Sequence, residues 1–276
     1  MKKLSPLVLA AIAAITGLHS ANAQTHSITD GSWGSPGTWN NGVPANGLNG
    51  TAAGVVNGNT VTFTNTDSYF GGGGLGAGLH VGHSGLFGPT GSGTGTLNVT
   101  GGLLDAGYLS VGHNFTGIVN VSGGTFQSGA EAYIGFGAPA TSSAVNVTGG
   151  TFNLYGGSDG VVGQNSAATV NVSGTGTFAV NRNFYVKNNS VVNVSTGGTM
   201  NVTGANGGQF LAQNGTVNVN GGTVSSTGSI HVGYNQTATL SISSGTVTNT
   251  GATYLGFIDG TGTITQTGST ATYQDI

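Results

Sequence analysis

One phrase returns along most of this 276-residue chain, and it limits what the chain can fold into. It reads Leu97-Asn98-Val99-Thr100-Gly101-Gly102, then Val119-Asn120-Val121-Ser122-Gly123-Gly124, Val145-Asn146-Val147-Thr148-Gly149-Gly150 and Val170-Asn171-Val172-Ser173-Gly174. It goes on as Val192-Asn193-Val194-Ser195, Val217-Asn218-Val219-Asn220, Leu240-Ser241-Ile242-Ser243 and Ile264-Thr265. The central positions 98, 120, 146, 171, 193, 218, 241 and 265 lie 22, 26, 25, 22, 25, 23 and 24 residues apart. So steady a period predicts about eight imperfect repeats of roughly 24 residues.

Each repeat has two further apolar stations. Leu104, Phe126, Phe152, Phe178, Met200, Val224 and Val247 follow the central position by six or seven residues. A third station reads Val111-Gly112-His113, Ile134-Gly135-Phe136, Val162-Gly163-Gln164, Val232-Gly233-Tyr234 and Leu255-Gly256-Phe257. Alternation such as Val119-Asn120-Val121 sends the valines to one face of a strand and the asparagine to the other. Gly-Gly supplies a corner of positive φ. The pattern predicts an all-β, parallel β-solenoid (β-helix) of eight or more coils with three short strands per coil. Helix is disfavoured by 55 glycines and abundant Val and Thr. An antiparallel sandwich suits short strands, but its strands need not match side chain for side chain, whereas stacked coils put like on like at about 4.8 Å per step.

The first 23 residues are read apart from the fold. Lys2 and Lys3 precede an apolar run from Leu4 to Leu18, and Ala21-Asn22-Ala23 places small residues before Gln24. That is the layout of a secretory signal peptide. Residues 24–93 match the period less well and are expected to form an N-terminal cap and irregular first coils, with the solenoid proper over 94–276. They include Trp33, Trp39, a strand-like Thr60-Val61-Thr62-Phe63-Thr64 and a Gly71-Gly72-Gly73-Gly74 loop. An open solenoid end needs covering, so Trp33 and Trp39 are expected to cap it; stacking on carbohydrate is the alternative.

Charged residues make up only 4% of the chain, against about 25% in ordinary domains. Beyond residue 23 only Arg182 and Lys187 are basic, against seven acids, a formal charge of −5. Two cations cannot form a patch for a phosphate backbone, so nucleic acid is not an expected partner. No later segment is a membrane-span candidate. The lack of cysteine excludes disulfides and thiolate metal sites.

The phrases Thr-Leu-Asn-Val-Thr-Gly-Gly and Val-Asn-Val-Ser-Gly-Gly-Thr-Phe resemble the strand repeats of bacterial autotransporter passenger domains and autotransporter-associated surface proteins. The Trp33, Trp39, Gly42, Pro44 lead-in is similar to the start of many such proteins, including ones sorted by a C-terminal Pro-Glu-Pro anchor. The resemblance implies a right-handed parallel β-solenoid, export to the outer surface of a Gram-negative-type bacterium, and a role in adhesion, matrix or surface coating. Neither a terminal membrane barrel nor a Pro-Glu-Pro signal is seen. The chain is thus expected to be a fragment, to be released, or to associate with itself end to end.

Polysaccharide-active enzymes use such solenoids and need carboxylates gathered on one face. Counted from the central position, Asp105 falls at +7, Glu131 at +11, Asp159 at +13 and Asp259 at +18, in no common register. Asp30, Asp67 and Asp275 lie outside the clear repeats, and Arg182 and Lys187 sit in one repeat, far in sequence from most acids. No catalytic residue, metal site or cofactor is expected. His83 and His113 share a station that elsewhere holds Phe136, Gln164, Tyr234 and Phe257, so they read as packing or turn residues; His231 stands one place ahead of Val232. The Asn-Val-Thr and Asn-Val-Ser triplets match a glycosylation acceptor pattern but read more simply as strands with polar outer positions.

Two polar columns are the candidate ligand contacts. One contains Asn98, Asn120, Asn146, Asn171, Asn193 and Asn218; the other, two residues on, contains Thr100, Ser122, Thr148, Ser173 and Ser195. Stacked, they would give an uncharged amide and hydroxyl surface for extracellular polysaccharide or ice, or serve only to hydrogen-bond one coil to the next. The sequence as a whole predicts a structural or adhesin-like surface solenoid, with glycan or ice binding as the alternative and a polysaccharide lyase or hydrolase behind both.

Overall fold

The computed structural model describes residues 24–44, 52–72, 77–83, 92–137, 142–204 and 208–276. The expected signal peptide and Gly73-Gly74 lie outside these. The chain winds into a parallel β-solenoid: every ladder between its strands is parallel, and neighbours across each ladder come from successive repeats. The sequence stations become three faces.

The first face carries the central positions, in Gly95–Val99, Gly117–Val121, Ser143–Val147, Ala168–Val172 and their successors. Asn98, Asn120, Asn146, Asn171, Asn193 and Asn218 stand in direct register, followed by Ser241 and Thr265. The second face stacks Leu104, Phe126, Phe152, Phe178, Met200, Val224 and Val247 in one column. The third is a ten-stranded sheet in which Val55, Val81, Val111, Ile134, Val162, Val186, Ala212, Val232 and Leu255 follow one another. Counted from Ala53–Val55 on this face, the described residues make nine turns.

Strict alternation fills the interior. In each first-face strand the residues on either side of the asparagine are buried, as with Val119 and Val121, Val145 and Val147, and Val192 and Val194. Fully burying one such side chain is worth about 1.5–3 kcal/mol. The same positions recur from coil to coil, so the core is one continuous strip, with Ile264 of the last coil only partly buried against it. Phe152 lies between Phe126 and Phe178, with ring centroids 5.0 and 5.2 Å away, and is stacked on Phe178 at an interplanar angle of 7°.

Two coils depart from three short strands. Gly215–Ser226 and Thr237–Asn249 run through the corner between the first and second faces as single strands of 12 and 13 residues. Register shifts at Val219, Asn220 and Thr223 absorb the bend, as a bulge does. The corner still needs glycine: Gly221 and Gly245 keep φ of +83° and +89° within these strands, and Gly150, at φ +73°, lies so close to the backbone of Gly123 and Gly124 that a Cβ would clash.

The described strands within residues 24–93 are more regular than the sequence period suggests. Val61 and Thr62 pair with Leu97 and Asn98, and Tyr69 pairs with Leu104, so these first coils are in register with the rest. Thr62 takes the asparagine's place, and variable connections between the strands stretch the spacing and conceal the repeat. Trp33 and Trp39 are buried. The Trp33 ring lies 5.0 Å from Trp39, 5.4 Å from Phe63 and 5.0 Å from Tyr69, and Trp39 Nε1 donates to the Trp33 carbonyl at 2.8 Å. Both indoles belong to the core, where no sugar can stack on them. Among the described residues no helix is long and apolar enough to cross a membrane.

Candidate ligand groove

The asparagine column is half-buried and bonded to itself. Nδ2 of Asn120, Asn146, Asn171, Asn193 and Asn218 each donates to Oδ1 of the asparagine one coil earlier, at 2.7–2.9 Å. Each inner amide spends one donor and one acceptor on its neighbours, which leaves one N–H and one lone-pair direction for solvent. The second column continues the coil-to-coil backbone bonds just past the strands, with Thr100, Ser122, Thr148 and Ser173 donating to Phe63, Val99, Val121 and Val147. Thr100, Ser122, Thr148 and Ser173 follow the last strand residue and stand at the corner, while Ser195 closes its strand. The column flanking Asn98 on the other side is Thr96, Ile118, Ala144, Thr169, Val191 and Thr216, a mixture with no uniform hydroxyl array. The first face is therefore a stitched seam more than a regular polar platform.

The third face is chemically richer. The column beside its core residues reads His80, Ser110, Tyr133, Val161, Tyr185, Leu211, His231 and Tyr254, of which His80, Ser110, Val161, Leu211 and His231 are buried. Halfway along it lies a groove of about 520 Å³ whose walls include Glu131, Tyr133, Asp159, Arg182, Tyr185 and Lys187. Gln164, Gln213 and Tyr234 complete its lining. Both basic residues beyond the expected signal peptide thus meet two of the seven acids here. The lack of common register among the acids, counted from the first face, concealed this. Glu131, Asp159 and Arg182 each precede a third-face strand, and unequal connections shift their count while the fold returns them to one side.

The charges in the groove are individually committed. Arg182 Nε lies 3.2 Å from Asp159 Oδ1, with both side chains partly exposed, so the pair adds little to stability. The Lys187 ammonium sits 4.5 Å from the Tyr185 ring centroid, a cation–π distance. Loss of solvent lowers the Lys187 pKa, opposed by the Asp159 charge. The Tyr133 phenol is pushed above its ordinary pKa of 10, first by burial and then by its hydrogen bond to Glu131. Burial, with Asp159 adding to it, does the same to Tyr185. Aromatic faces beside amides and fixed charges suit a ligand with apolar patches and many hydroxyls. Tyr133 and Tyr185 were absent from the sequence reading, which followed the buried valine of the third station and not its outward neighbour.

The histidines lie on the same face nearer the N-terminus. His83 Nε2 and His113 Nδ1 are 2.6 Å apart, and the His80 ring centroid is 4.7 Å from that of His83. No group of three or more metal-ligating side chains occurs among the described residues. His231, solitary in sequence, stacks on Tyr254 at 4.6 Å and meets Tyr234 and Phe257 edge-on. No family model, curated protein or solved structure matches this chain.

Proposed function

We propose that the chain is a secreted, adhesin-like β-solenoid of the bacterial outer surface, and that it holds an extracellular polysaccharide in the third-face groove. The observation that carries this is the convergence of Tyr133, Tyr185 and Tyr234 with the two cations in one groove of a protein otherwise poor in charge. Export and surface location rest on the N-terminal sequence and on the repeat phrases. The asparagine column, self-bonded and half-buried, is the weaker glycan surface. A regular ice-binding array is disfavoured by Ile118, Ala144 and Val191 beside it. Binding is favoured over catalysis because Asp159, one of the two groove carboxylates, is held by Arg182.

The test is a polysaccharide array followed by affinity measurement on any hit. Tyr185→Ala and Tyr133→Ala should each weaken binding at least tenfold, while Asn146→Lys combined with Asn171→Lys leaves it unchanged. A blank array, or loss of binding only in the asparagine variant, contradicts the groove. New reducing ends released from the bound polysaccharide would contradict the binding-only role.

A further inference from the structure

Within the groove the repeat breaks its own rule. The position after the inward third-station residue is glycine in six coils, at Gly82, Gly112, Gly135, Gly163, Gly233 and Gly256, each with φ between +65° and +84°. In the two successive coils between Gly163 and Gly233 that position holds Lys187 and Gln213. In the Lys187 coil the left-handed turn is moved to Asn188 and Asn189, at φ +50° and +59°, residues that tolerate it better than most. Lys187 N donates to the Val162 carbonyl at 2.9 Å and Gln213 N to the Val186 carbonyl at 3.0 Å, which fixes the two side by side on adjacent coils, about 4.8 Å apart. Both line the groove.

Their chemistry is that of an anion subsite. Arg182 is paired with Asp159, whereas no carboxylate among the described residues lies within 4.0 Å of the Lys187 ammonium. That ammonium rests on the Tyr185 ring and is partly desolvated, so a bound anion would gain more from it than from a fully hydrated lysine. The Gln213 amide adds neutral donors one coil away. Resting on the groove reading above, we infer that the polysaccharide is acidic, with a sugar carboxylate seated on Lys187 and Gln213 and its ring against Tyr185. The net negative charge of the chain does not prevent this. Within the groove the charges of Glu131 and Asp159 are balanced by Arg182 and Lys187, and Asp30 and Asp67 belong to the first coils, several steps of about 4.8 Å away and so beyond the roughly 8 Å screening length at physiological salt.

The experiment measures binding of the whole protein to sodium polygalacturonate, to its fully methyl-esterified form and to the neutral hits of the array. Wild type should bind the free acid at least tenfold more tightly than the ester, and 0.5 M NaCl should shrink that preference. Lys187→Gly installs the residue that other coils carry and should abolish the preference without lowering Tm by more than a few degrees; Lys187→Arg should restore most of it. Equal affinity for acid and ester, or binding of neutral glycans alone, overturns the acidic ligand; if Tyr185→Ala still weakens that binding, the groove itself stands. If Lys187→Gly unfolds, Gln213→Ala decides, since an unchanged preference there also overturns the subsite. A wild type that binds no glycan of any kind overturns both.

Discussion

At Asn146 one side chain does two things: its Nδ2 donates to Asn120, and its Oδ1 accepts from Asn171. Asn146→Ala removes both bonds and leaves a donor and an acceptor unpaired on a half-buried surface, so a loss of about 1–3 kcal/mol is expected, read from urea unfolding. Glycan affinity should not move. Asp105 is a second such node. Buried at a corner, it accepts from Gly107 N at 3.0 Å, Gln127 Nε2 at 2.9 Å and Tyr155 Oη at 2.7 Å. That last bond is the main reason the Tyr155 phenol is pushed up to about 12. Asp105→Ala should destabilise by about 1–3 kcal/mol and return the Tyr155 titration, followed by ultraviolet absorbance, towards 10. An unshifted Tyr155 would show that the bond does not form in solution.

The element that matters most is the coil, and here the sequence was most legible. Alternation at Val145-Asn146-Val147 determined the first face, and Phe126, Phe152 and Phe178 marked the second, because a buried position leaves little choice of side chain. Phe152→Ala should therefore cost about 3–5 kcal/mol, since its neighbours above and below are themselves locked in the column and cannot close the cavity. The column beside the third-face core residues mixes buried His80, Ser110, Val161 and Leu211 with partly exposed Tyr133 and Tyr185 and carries no such uniform constraint. Tyr133 and Tyr185 could not be read as a pair, because Val161 separates them in the column and no period repeats there. The third station of two coils also departs from the motif: Val186 and Ala212 are followed by Lys187 and Gln213, where the motif expects glycine. The irregularity that hides these coils from the motif is what gives the groove Lys187. Corners behave differently again, and Gly150→Val should destabilise by more than 1 kcal/mol through a strained φ and a clash with the coil before.

For the whole molecule, stacking makes distant residues neighbours, and charge is so sparse that a few histidines can dominate the pH response. Burial lowers the pKa of His26, His113 and His231 below 6.5 in the folded chain. The unfolded chain therefore takes up protons first as pH falls, so stability is retained above about 6.5 and lost progressively below it. Melting temperature measured from pH 7.5 to 5 should decline, and His113→Gln should flatten the decline, because the His83–His113 contact needs at least one neutral ring. The groove depends on the same stacking. Glu131 and Tyr234 lie about a hundred residues apart in sequence and line one cavity only because the intervening coils superpose in register. The chain has no cysteine, which permits clean placement of two spin labels at Asn98→Cys and Asn218→Cys, the ends of the asparagine ladder. Five parallel coil steps predict a narrow electron–electron distance distribution centred near 24 Å, allowing for the label linkers. A mean beyond about 40 Å, or a broad distribution without a peak, would contradict the stacked solenoid and the groove built on it.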